Sequence, residues 1–61
     1  MNRYDIKRLA LILAVQADID GMKVANIQRE SNGQHFMYTE QDFIDASNEL
    51  RILASKPDEQ L

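Results

Sequence analysis

From Phe43 onward the apolar positions fall on one stripe: Phe43, Ala46, Ser47, Leu50, Leu53 and Ala54 follow the i, i+3, i+4, i+7 spacing of a single buried helix face. Asp42, Asp45 and Glu49 cluster to one side of it. The first half of the chain is patterned differently. At roughly 100° per residue, one stripe holds Ile6, Leu9, Leu13, Ala17, Val24 and Ile27, and a second, on the other side, holds Tyr4, Leu11, Val15, Ile19 and Met22. A helix that is apolar on two faces has to pack against two things, and the second helix can cover only one of them.

The boundaries of these helices carry their own signals. Asn2 is placed to cap the first helix with Asp5 three positions on, and Thr39 repeats the design with Asp42. Met1 with Ile6, and Tyr38 with Phe43, stand where a hydrophobic staple forms across each cap. Glu40 and Asp42 suit the positive pole of the second helix, and Pro57 disfavours helical geometry at Lys56. Gly21 offers a stop for the first helix, but Met22 to Glu30 continue as good helix formers. The expectation is therefore a mid-helix glycine, costing about 1 kcal/mol relative to alanine, and a stop at Gly33 in Ser31-Asn32-Gly33. The rival is a β-hairpin in which Asn32-Gly33 turns Val24–Glu30 back onto Gln34–Tyr38.

The fold class that follows is all-α: a helical hairpin of one long and one shorter helix, with helix, β-hairpin, helix as the alternative. The helices are expected over residues 3–30 and 40–55, with a connector over 31–39 and a frayed tail over 56–61. At 1.5 Å per residue the first helix is about 40 Å long and the second about 22 Å. Phe36, Met37 and Tyr38 are bulky enough to fold back over part of the surplus. The remainder points to a second chain.

Length and composition sharpen that expectation. The chain has 61 residues, 44% of them hydrophobic and 28% charged, which is the balance of one folded domain. A chain this short buries only about 60% of the surface its unfolded form exposes, so small domains add disulfides, a metal or a partner subunit. There is no cysteine and a single histidine, which removes disulfides and most structural zinc sites and leaves self-association. We assign Tyr4, Leu11, Val15, Ile19 and Met22 as the self-association face of a homodimer. Ile6, Leu9, Leu13 and Ala17 are assigned, with Phe43, Ala46, Leu50 and Leu53, as the intrachain core. The net charge of −3 divides unevenly: residues 1–29 carry five bases and three acids, residues 30–61 two bases and seven acids. Halves of opposite sign favour packing against each other, within or between chains.

Candidate chemistry adds little to this picture. His35 is the one side chain suited to proton transfer near neutral pH, yet nothing around it in sequence completes an acid–base site. Ser31, Ser47 and Ser55 sit at helix ends or on a packing face, not in a nucleophile elbow. Asp42, Asp45 and Glu49 read as a solvated acidic face rather than a metal site, and the two glycines belong to no phosphate-binding loop. No catalytic, cofactor-binding or metal residue is assigned. Arg3, Lys7 and Arg8 form a basic patch that keeps nucleic-acid binding as the alternative function, although no helix carries the row of bases and amides of a recognition helix. The longest apolar run, Leu9–Val15, is far short of the about 20 residues a bilayer span needs, so no membrane association is expected and the cytoplasm is the expected location. Ile44 and Ile52 lie off the main stripe, two turns apart, and with Asp45 and Glu49 mark a candidate partner surface on the second helix.

The set Gly21-Met22-Lys23, Asn26, Arg29, Gly33, Tyr38-Thr39-Glu40, Phe43, Glu49-Leu50-Arg51 and Leu53-Ala54 resembles short helical proteins encoded by tailed phages and prophages. The resemblance covers most of the chain and brings no assigned activity or site residue. It implies a setting only: a small accessory protein of the bacterial cytoplasm that binds a host or phage protein.

Overall fold

In a computed structural model that describes all 61 residues, the chain forms a long helix α1 (Arg3–Ser31), a shorter helix α2 (Glu40–Ser55) and a closing 3-10 turn (Asp58–Gln60). Both helix starts are built as capping boxes. The Asn2 side-chain oxygen accepts the Tyr4 and Asp5 backbone N–H groups at 2.9 Å, and the Asp5 carboxylate accepts the Asn2 N–H at 3.4 Å. At α2, Thr39 Oγ1 accepts the Asp42 N–H at 3.3 Å while the Asp42 carboxylate accepts the Thr39 N–H at 2.8 Å. Each box satisfies donors that the first turn of a helix leaves orphaned. The two expected staples differ in burial: Tyr38 and Phe43 are half-buried, whereas Met1 and Ile6 are both exposed.

Gly21 lies within α1, which runs on to Ser31. The stop comes at Gly33, whose φ of 71° is left-handed. There the Gln34 N–H reaches the Arg29 carbonyl at 2.8 Å and the Gly33 N–H reaches that of Glu30 at 3.0 Å. This is the Schellman arrangement, which a glycine without Cβ strain closes. Asn32-Gly33 therefore ends a helix rather than turning a hairpin, and the β alternative is set aside because residues 22–31 satisfy their backbone within α1.

Two polar side chains of α1 clamp the hairpin at its ends. Asn26 meets the connector: its amide nitrogen donates to the Tyr38 carbonyl at 2.9 Å, and its oxygen accepts the Met37 and Tyr38 N–H groups at 3.1 and 3.0 Å. Arg8 meets the other end of α2, where Nη1 donates to the carbonyls of Leu53 and Lys56, both at 2.6 Å, and Nη2 pairs with Asp58 at 2.5 Å. The last carbonyls of a helix have no partner of their own, and a guanidinium is suited to collecting them. Residues 56–61, expected to fray, instead form a turn tied to Arg8, because Pro57 sets the chain on a course that brings Asp58 to the guanidinium. From Arg8 to Asn26 is about 27 Å of helix, close to the about 24 Å length of α2, so the ends of α1 project beyond its partner.

The stripe that α2 covers is the one we had assigned to self-association. Tyr4, Leu11, Val15 and Met22 are half-buried and Ile19, 8% exposed, is the single buried residue of the chain. Ile12, absent from both expected stripes, joins them. From α2 the half-buried positions are Phe43, Ala46, Ser47, Leu50 and Leu53, whereas Ala54 is exposed. The α1 half of the expected intrachain core is thereby corrected: Ile6, Leu9, Leu13 and Ala17 are exposed, as are Val24 and Ile27. The physical reason is the polar contacts. The covered stripe carries Arg8 and Asn26, which bond to the backbone at the two ends of α2, with Leu11, Val15, Ile19 and Met22 between them, while the other stripe is interrupted by Asp20 and has no such polar contact to α2. Phe36 and Met37, expected to fold over α1, are also exposed, and only Tyr38 does so in part.

Candidate protein-interaction surface

The two faces of α1 lie about 180° apart, since Tyr4 and Leu13 differ by nine residues at roughly 100° each. Once α2 occupies the first, the second faces outward along the full length of the helix. Ile6, Leu13 and Ile27 are 57%, 59% and 60% exposed, and Leu9 and Val24 are similarly open. Scattered exposed apolar residues are ordinary; five large ones aligned on one helix face are a patch of the kind that marks an interaction site. The face is lined by small residues as well, Ala10, Ala17 and Gly21, and a Cβ built on Gly21 would meet nothing within 4 Å.

The whole molecule has the surface to match. Its Cα extents are 47 × 18 × 12 Å and its radius of gyration is 14.6 Å, where a compact chain of this length has about 10–11 Å. Its accessible surface is 4715 Å², against about 4,000 Å² for a folded monomer of its 7.0 kDa mass. The surplus is about 700 Å², close to the about 800 Å² that each partner contributes to a standard protein–protein interface.

Elsewhere the exposed large apolar residues are Met1 at the N-terminus, Phe36 and Met37 in the connector, and Ile44 and Ile52 on α2. On α2 the outward Ile44 and Ile52 are exposed, but polar groups separate them: Arg51 donates to Asn48 at 2.7 Å and Gln41 to Asp45 at 2.9 Å. Asp45 and Glu49 are exposed beside them. These four residues are exposed together on α2, with fewer large apolar side chains than the outward face of α1. The basic N-terminal patch is reduced, because Arg8, with a side chain only 18% exposed, is committed to the end of α2. Arg3 lies over the Tyr4 ring at 5.0 Å but stays exposed, so Arg3 and Lys7 are the patch's remaining bases. His35 lies exposed in the connector. No pocket indents the surface, no three metal-ligating side chains converge, and no helix is long and apolar enough to cross a membrane.

Sequence reasoning missed the two clamps. A signal was there: Arg8 and Asn26 each follow an apolar residue of the covered stripe, Tyr4 and Met22, by four positions and so interrupt that stripe with polar groups. A polar residue on a packed stripe has to find a partner across it, and the free backbone of α2's two ends is what lies in reach. Comparison with models of known protein families, with curated proteins and with solved structures found no match to this chain.

Proposed function

We propose that this chain is a non-enzymatic interaction module whose working surface is the outward apolar face of α1, which receives a helix of another protein chain. The observation that carries the reading is the surplus of about 700 Å² of surface over a compact monomer, together with the aligned exposure of Ile6, Leu13 and Ile27. A groove or face of this kind is recognised through anchors at i, i+3, i+4 and i+7. The setting that accompanies this reading is that of a small regulatory or accessory protein of a phage or prophage, acting in the bacterial cytoplasm on a host or phage protein. Nucleic-acid binding through the N-terminal bases loses support from the engagement of Arg8 with α2.

The test is site-specific photocrosslinking in cells, with a photoreactive residue at Leu13 on the outward face of α1 and, as the control, at Asn48 on the outward face of α2. The expected result is a discrete protein adduct, to another copy or to a different protein, from position 13 and not from position 48. Equal or absent crosslinking at the two positions overturns the reading.

A further inference from the structure

Resting on that reading of the outward face of α1, we infer that its occupant is a second copy of this chain, packed antiparallel along α1. The outward face carries a heptad register of its own. Ile6, Leu13, Asp20 and Ile27 recur every seven residues, and Ala10, Ala17, Val24 and Ser31 recur every seven residues four places after them. This alternation of four and three is the seam of a helix pair. The two sets differ in size: the first holds isoleucine, leucine and aspartate, the second the smaller alanine, valine and serine.

That difference fixes the orientation. In an antiparallel pair each position of one set faces a position of the other, which places Ala10 against Ile27 of the second copy, Val24 against Leu13, Ser31 against Ile6 and Ala17 against Asp20. Every layer then joins a small side chain to a larger one, the condition for even packing. A parallel pair would set Ala10 on Ala10 and Leu13 on Leu13, alternating gaps with crowding, and would put Arg3 on Arg3 and Asp20 on Asp20. Charge agrees with the antiparallel arrangement. The exposed basic first turn, Arg3 and Lys7, comes level with the negative C-terminal pole of the other α1 and its exposed Glu30. At the centre Asp20 already has Lys23 of its own copy at 3.7 Å and accepts from Gln16 at 3.2 Å, and Lys23 of the second copy arrives beside that Gln16. Two copies covering the surplus surface of each would bury about 1,400 Å² together, within the about 1,200–2,000 Å² of stable interfaces.

The absence of cysteine makes the arrangement directly readable. Ala10→Cys and Ile27→Cys variants, prepared separately, are mixed and mildly oxidised. Antiparallel pairing yields disulfides joining the two different variants, whereas like-with-like disulfides, a statistical mixture or no disulfide overturns the proposal. Independently, sedimentation equilibrium of the unaltered chain from about 1 μM to about 100 μM is expected to pass from monomer to dimer. Leu13→Asp is expected to remain monomeric with unchanged helical circular dichroism, and Asp20→Leu to tighten the dimer at least tenfold. An unaltered chain that stays monomeric throughout overturns the second-copy inference. If position 13 nevertheless crosslinks to a different protein in cells, the interaction-module reading stands without it.

Discussion

Replacing Arg8 by alanine removes three contacts at once, two of them to carbonyls that have no other partner. Arg8→Ala is expected to cost about 2 kcal/mol, the scale of hydrogen bonds from a charged donor, and to lower the thermal midpoint by roughly 10 °C. Asp58, with a side chain 47% exposed, contributes far less: Asp58→Asn is expected to stay within about 0.5 kcal/mol of the parent. Calorimetry on the pair separates the carbonyl clamp from the ion pair, and equal losses would show that the ion pair carries the contribution. The two glycines give opposite signs. Gly21→Ala is expected to stabilise by about 1 kcal/mol, because the added methyl enters open space on a helical backbone. Gly33→Ala is expected to destabilise by about 1 kcal/mol or more, since its φ of 71° is unfavourable for any L side chain. Chemical denaturation of the two variants checks both.

At the scale of elements, helix starts and stops were legible because each is settled by a few neighbouring residues: the Asn2 and Thr39 boxes, Gly33 and Pro57 all act where the sequence places them. Which face of α1 meets α2 was not legible. Periodicity finds two apolar stripes and ranks neither, and the choice is made by partners distant in sequence, Arg8 with Leu53 and Lys56, Asn26 with Tyr38. The five residues assigned to self-association, Tyr4, Leu11, Val15, Ile19 and Met22, face α2, and the stripe left exposed is the one assigned to the intrachain core. Aspartate substitutions distinguish the faces. Ile19→Asp puts a charge at the one buried position and is expected to cost roughly 3 kcal/mol or more, enough to unfold a chain this small. Leu13→Asp leaves the hairpin intact. Circular dichroism that falls equally for both would contradict the assignment.

For the molecule as a whole, the elongated 47 Å shape and the surplus surface have one origin: two helices make a single layer of contact, and a single layer encloses almost nothing. Ile19 alone is buried. Where a folded form gains its missing contacts from a second copy, its thermal midpoint rises with chain concentration by mass action. Scanning calorimetry at several concentrations is therefore expected to give midpoints that climb with concentration for the parent and stay constant for Leu13→Asp. The lone buried isoleucine has a further consequence in a cell, where marginal chains are continually sorted by proteases. Under the proposed pairing, a chain more secure as a pair than alone would survive in proportion to how much of it has been made, so that supply would set lifetime as well as amount.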